Sequence, residues 1–193
     1  MKHAPVILVC LMLMLQGCAT QPDRAPTEPG RSAEAISNWI LTGKLGVTRG
    51  KRRDFVAINR WNQEGNRYDI QLSSTLFGLG AARLSGSHDR VILEQGDERY
   101  VANNPEALIE DALGLALPLQ ALQWWVRGLP APEQPAIRIR TSDDGQARLF
   151  TQHGWQVKLS RFQRHHGFEL PGRIDLQREN LHIRLVITSW HLN

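Results

Sequence analysis

The sequence has only two cysteines in 193 residues, Cys10 and Cys18. Two cannot frame a disulfide-rich scaffold or supply a four-cysteine zinc site. Excess charge of one sign is also scarce: 23 Lys and Arg face 19 Asp and Glu, a formal +4. The basic residues are scattered apart from one short run, which is too little for a nucleic-acid binder. No segment repeats with a period of 20–50 residues, so solenoids and propellers are excluded. What is present is an ordinary globular mix, 41% hydrophobic and 22% charged. That excludes general disorder and fibrous repeats. The length suits one domain with a sizeable core.

The first residues read as an address. Lys2 and His3 form a basic start, and Ala4 to Leu15 is an uncharged, mostly aliphatic run. A spanning helix needs about 20 such residues, so this run suits the apolar region of a signal peptide instead. Leu15-Gln16-Gly17-Cys18-Ala19 follows directly and resembles a bacterial lipobox, in which the cysteine is lipidated and becomes the first mature residue. The alternative is an ordinary signal peptide with an incidental cysteine. On the lipobox reading, residues 1–17 leave, taking Cys10 and Lys2 with them, and the formal charge falls from +4 to +3. The mature domain then has no free thiol for catalysis, disulfides or metal ligation. By resemblance to bacterial lipoproteins, Ala19 after the cysteine favours the outer membrane. Residues 18–31 are rich in proline and polar groups and read as a lipidated N-terminus and flexible tether. Residues 32–193 form the single remaining domain.

Ser32 is placed to cap a short helix through Ile40, with Ile36, Trp39 and Ile40 on one face. Short apolar or alternating runs then predict strands at 41–47, 54–61, 67–73, 81–85, 90–94 and 99–102, separated by turn signals. In Arg67–Ser73, Tyr68, Ile70 and Leu72 point one way while Arg67, Asp69 and Gln71 point the other. Asn104 before Pro105 opens a helix with Leu108, Ile109, Ala112 and Leu113 on one face and Gly114 at its end. Pro118 opens a second, with Leu122, Trp125 and Val126 on one face and Gly128 as its stop. Strands resume at 137–140, 147–152, 155–160, 173–177 and 181–189, the last with Leu181, Ile183, Leu185 and Ile187 on one side. This order is not a βαβ alternation. It predicts a mainly β, α+β fold: an antiparallel sheet of about eleven strands curled into an incomplete barrel, with helices covering the open side and an apolar cavity between.

No catalytic motif survives inspection. Gly78-Leu79-Gly80 lacks the third glycine and the strand–helix setting of a dinucleotide loop, and Gly43-Lys44-Leu45 lacks most of a phosphate-binding loop. His165 and His166 are adjacent and would point oppositely on a strand. Asp143-Asp144-Gly145 and His153-Gly154 read as turns. Arg49, Lys51, Arg52 and Arg53 fall on a hairpin, as a solubilising turn or as an attraction to an anionic lipid or protein surface. Trp39, Trp61, Trp125 and Trp155 fall on apolar faces, either packing a core or lining a lipid pocket; Trp124 lies off its helix's main face, toward a rim. Ser73 to Gly80 carries Leu76, Phe77 and Leu79 among glycines where a turn should be polar. It is either a strand passing through a bulge or an exposed apolar finger.

Several fragments, in order, resemble the LolB family of outer-membrane lipoproteins: Trp39 before Leu41-Thr42-Gly43-Lys44-Leu45; Trp61-Asn62-Gln63 with Gly65 and Tyr68; Leu76 to Gly78; Pro105-Glu106; Leu117-Pro118-Leu119; Trp125-Val126-Arg127-Gly128-Leu129-Pro130; Gly154-Trp155-Gln156-Val157; and Leu170-Pro171. Together they span nearly the whole mature chain. The resemblance implies a monomeric, non-enzymatic acceptor, lipid-anchored through Cys18 in the periplasmic leaflet of the outer membrane. It would take acylated lipoproteins from a soluble carrier, LolA, and insert them into outer-membrane lipid. Nothing beyond the covalent diacylglycerol and N-acyl chain on Cys18 is implied as cofactor. A protruding apolar residue that promotes delivery falls on Leu76 or, since Phe77 stands as an extra residue before Gly78 relative to the family pattern, on Phe77. The inward-facing candidates for an acyl cavity are Trp61, Tyr68, Ile70, Leu72, Leu122, Trp125, Trp155, Ile183 and Leu185. The competing classes are a scaffold lipoprotein with a filled core and a lipid or glycan hydrolase of unfamiliar site.

Overall fold

The computed structural model describes residues 32–74, 80–113 and 117–193. The leader, the tether with Cys18, Gly114, and Leu76 and Phe77 lie outside the described residues. The strands are β1 (Asn38–Arg49), β2 (Arg52–Glu64), β3 (Arg67–Ser74), β4 (Gly80–Ser87), β5 (Arg90–Gln95), β6 (Glu98–Ala102), β7 (Ile137–Thr141), β8 (Ala147–Gln152), β9 (Trp155–His165), β10 (Phe168–Arg178) and β11 (Leu181–Leu192). Helices α1 (Pro105–Leu113) and α2 (Leu119–Trp125) lie between β6 and β7.

All eleven strands join one antiparallel sheet in the order β6-β5-β4-β3-β2-β1-β11-β10-β9-β8-β7. It consists of two meanders sewn together by β1 and β11, whose ladder runs from Trp39–Leu192 to Arg49–Leu181. The two free edges, β6 and β7, are the strands that the helical insert connects. The incomplete antiparallel barrel with helices at its open side is therefore the observed architecture.

One face of this sheet is apolar. In β1, Trp39, Leu41, Leu45 and Val47 are buried; in β11, Leu181, Ile183 and Leu185 are. In β2 the inward phase is carried by Val56 and Ile58, then by Trp61 and Gln63. The register shift between Ile58 and Arg60 makes that change of phase, since a bulge inserts one extra residue and bends the strand. Gly43 has a related task. It sits where β1 shifts register against both neighbours, and a Cβ there would approach the Val186 carbonyl oxygen at 2.6 Å. Only glycine lets β11 come that close. Trp39 packs its ring 5.1 Å from Trp61 and 5.4 Å from Trp190, contacts of about 0.5–1.5 kcal/mol each beyond their buried area.

The expected helix over Ser32–Ile40 is corrected. Ser32 does cap a turn, its Oγ accepting from the Glu34 N–H at 3.3 Å, but that turn is a 3-10 segment of three residues, Ala33–Ala35. From Asn38 the chain is strand, with β2 on one side and β11 on the other. Two ladders outweigh a local helical spacing of three apolar residues. Elsewhere Asn104 caps α1 as expected, its Oδ1 accepting from the Ala107 N–H at 3.1 Å. Ala112, however, is exposed, so α1 buries a narrower stripe than its spacing suggests.

Candidate functional site

Eight of the nine cavity candidates are buried on the inner face within one apolar cluster: Trp61, Tyr68, Ile70, Leu122, Trp125, Trp155, Ile183 and Leu185. Leu72 is half-buried against the same cluster. They come from β2, β3, α2, β9 and β11. Sheet alternation aims the strand residues inward, and the 3.6-residue helical period aims Leu122 and Trp125 back at them. Trp125 stacks edge-on to Phe150 of β8 at 6.3 Å.

Residue spacing alone does not reveal the polar groups that seat the insert on this face. Gln152 is buried at the end of β8. Its Oε1 accepts from the Trp125 indole N–H at 2.8 Å and from the Ala131 N–H at 2.8 Å, and its Nε2 donates to the carbonyls of Ala131, at 2.7 Å, and Gln134. Gln63 does the same on β2. It accepts from the Trp61 indole at 3.0 Å and donates to the Gly65 carbonyl at 2.9 Å and to Gln123 Oε1 of α2 at 3.1 Å. Each glutamine meets the rule that buried polar groups be bonded. The signal was present: both stand at inward positions of otherwise apolar strands, two residues after Trp61 and Phe150.

The Trp125 to Pro130 fragment now has a physical account. Trp125 and Val126 are fully buried. Gly128 has φ +86°, and the N–H groups of Gly128 and Leu129 return to the carbonyls of Trp125 and Trp124, a left-handed helix stop suited to glycine. Arg127 is buried. Its Nη1 donates to the Ile36 carbonyl at 2.6 Å, its Nε to the Gln123 carbonyl at 3.1 Å, and its guanidinium lies over Trp124 at 4.1 Å. Burial lowers its pKa, against the raising effect of Glu34. Arg127 thus ties the insert to the segment preceding β1, and Trp124 forms the rim.

A recess of about 160 Å³ opens between that rim and the sheet, lined by Trp61, Tyr68, Leu119 and Trp124 among others. The Tyr68 hydroxyl in it has no hydrogen-bond partner among the described residues, and Tyr68 is only 9% exposed. Burial pushes its pKa well above the usual phenol range, with the charge of Glu106 adding to the effect. Gly86 makes room for it: a Cβ there would stand 3.0 Å from the hydroxyl and 2.1 Å from the Arg90 carbonyl oxygen.

The remaining candidates scatter. Arg49 and Arg52 are paired across the β1–β2 turn with Lys51 between them, Arg53 follows on β2, and Arg52 bridges Asp54 at 3.0 Å. His165 and His166 lie at the β9–β10 turn, and Asp143 and Asp144 at the β7–β8 turn. Among the described residues no group of three or more His, Asp or Glu side chains is placed to hold a metal.

Residues 37–190 match the family described as "Outer membrane lipoprotein LolB". The outer-membrane lipoprotein LolB of Stutzerimonas stutzeri is 42% identical over 194 residues, covering 94% of this chain and 92% of the relative. That of Pseudomonas aeruginosa is 38% identical over 190 residues, covering 93% and 91%. Among solved structures, a LolA superfamily protein from Nitrosomonas europaea aligns with a TM-score of 0.55 at 8% identity, covering 84% of this chain and 90% of that one, which is a likeness of fold. The identities over nearly the full length, and the family match across all eleven strands, are decisive: the chain belongs to the LolB family of outer-membrane lipoproteins, which are not enzymes.

Proposed function

We propose that this protein is an acceptor anchored in the periplasmic leaflet through lipidated Cys18. It takes acylated lipoproteins from a LolA-like carrier, holds their acyl chains against the inner face, and passes them to outer-membrane lipid with the help of Leu76 and Phe77. The observation that carries this reading is the way the apolar face is covered. One side is an eleven-stranded ladder; the other is a short helical insert held by side-chain bonds at Gln63, Gln152 and Arg127. An insert held this way can shift without tearing the sheet. The Tyr68 hydroxyl, without a partner among the described residues, supplies a donor for an ester or amide carbonyl at the head of an acyl chain.

Energetics require such a path. Three acyl chains hold roughly 40 methylenes, and at about 0.8 kcal/mol each their exposure to water costs on the order of 30 kcal/mol. Transfer from one apolar face to another cancels most of that, so a modest affinity difference sets direction without a nucleotide. Anchor geometry is compatible. Asn38, where the domain enters the sheet, lies at the opposite end of β1 from the β1–β2 turn, a distance of about 40 Å for its twelve residues. A fourteen-residue tether spans at most about 50 Å, enough to let either end of the sheet face the bilayer. The test is titration with a fluorescent acyl probe: saturable binding without turnover supports an acceptor, and no binding means a scaffold with a filled core.

A further inference from the structure

The outer face of the second meander carries a groove of about 720 Å³ that no part of the transfer reading uses. One cross-strand row runs through it. Phe55 pairs with Gly46, Gly46 with Arg184, Arg184 with Asp175, Asp175 with Lys158, Lys158 with Leu149 and Leu149 with Arg140. Antiparallel partners share a face, so these side chains stand together on the side away from the apolar cluster.

Two features mark the groove as built for an anion. The first is Asp175, whose side chain is 12% exposed and which accepts from Arg173 Nε and Arg184 Nε at 2.6 Å each, with His182 Nε2 at 3.4 Å. The carboxylate, which also accepts from Arg173 Nη2 at 3.1 Å, is saturated, and it fixes two guanidiniums whose other N–H groups have no partner among the described residues. The second lies opposite, on edge strand β7. The register shifts between Ile137 and Arg140, and Arg138 has φ +55°, a strained value for a residue other than glycine. In a regular strand, neighbouring side chains alternate between faces. The bulge instead brings Arg138, Ile139 and Arg140 into the same groove. Neither Arg138 nor Arg140 has an ion-pair partner among the described residues.

Position identifies the anion. The groove is formed by the start of β7, the end of β8, the start of β9, the end of β10 and the start of β11. These lie at the end of the sheet that holds the β1–β2 turn and the ends of β3 and β4 bracketing residues 75–79, where Ser74 pairs with Gly80. Exposed apolar side chains share the outer surface there, Phe55 at 64% and Ile139 at 67%. Cations interleaved with exposed apolar groups, on a protein resident at a membrane, match a phospholipid headgroup rather than a purely acidic protein surface.

We propose that the outer-face groove between β7 and β11 binds the phosphodiester of an anionic phospholipid headgroup, setting the loop-bearing end of the sheet against the bilayer. The site stands independently of acyl-chain transfer, so failure of one leaves the other intact. The test uses the full-length lipidated protein in zwitterionic micelles doped with phosphatidylglycerol or phosphatidylcholine, with retained lipid counted by native mass spectrometry. The wild type is expected to retain phosphatidylglycerol at least tenfold over phosphatidylcholine. Arg138→Gln with Arg140→Gln, and separately Lys158→Gln on a central strand, should each lower that preference at least fivefold, while Lys51→Gln at the hairpin turn leaves it unchanged. Equal retention of the two lipids, or variants indistinguishable from wild type, would overturn the proposal. So would displacement of the lipid by equimolar inorganic phosphate, which would make the ligand a free ion. Displacement by an equimolar glutamate-rich peptide would overturn it in favour of a protein partner.

Discussion

The indole N–H of Trp125 donates to Gln152 Oε1 at 2.8 Å, joining the last residue of α2 to the last residue of β8. Through this pair a helix with no ladder bonds of its own is fixed to an eleven-stranded sheet. Gln152 also closes the connection around Ala131 and Gln134, so four polar groups depend on one side chain.

Replacing that side chain by an apolar one should therefore cost more than an ordinary hydrogen bond. Gln152→Met keeps much of the volume but leaves buried donors and acceptors unpaired, each worth about 1–3 kcal/mol. A loss of about 2–4 kcal/mol is expected in urea denaturation. Gln123→Ala removes only the half-exposed partner of Gln63 and should cost less than about 1 kcal/mol.

Asp175 sets an acid dependence. Its burial raises the pKa, but the hydrogen bonds and charges of Arg173 and Arg184 outweigh that, and the net shift is downward. A carboxylate with a depressed folded pKa contributes stability above the unfolded value, near 3.9, and loses it as the pH falls through the folded value. Thermal melts should show the domain weakening below about pH 4, and Asp175→Asn should flatten that slope while lowering stability at pH 7.

On the proposed reading, Leu76, Phe77 and the Cys18 anchor serve delivery and not acceptance. Leu76→Asp and Phe77→Asp, singly and together, should leave lipoprotein acceptance intact and reduce insertion into vesicles at least tenfold. Cys18→Ala should yield a soluble domain that still accepts cargo, measured by fractionation and co-purification. Unchanged insertion by the double loop variant would remove the loop from the mechanism.

Much of the architecture is legible because one face is apolar. Alternation in Arg67–Ser73 and Leu181–Ser189, and the turn residues between runs, place the strands; β8 begins and ends where its pattern does, at Ala147 and Gln152. What is not legible depends on pairing and packing partners rather than on local pattern. The segment after Ser32 has helical spacing, but β11, which begins more than 140 residues later, makes it a strand. β9 and β10 run on to His165 and back from Phe168 because each pairs with the other, although their outer halves have no clean alternation. Gln63 and Gln152 read as interruptions of apolar strands until the insert that they hold is in place. The outer groove needs a bulge at Arg138 that no local pattern announces.

The most direct test of the central claim is a two-component transfer. A purified LolA-like carrier loaded with a radiolabelled triacylated lipoprotein is mixed with this protein in the absence of nucleotide and detergent, and the label is followed by immunoprecipitation. The account predicts that most of the label moves to this protein, and that phospholipid vesicles then draw it from the protein into the bilayer. Label that stays with the carrier at equilibrium, or moves only when nucleotide is added, would contradict it.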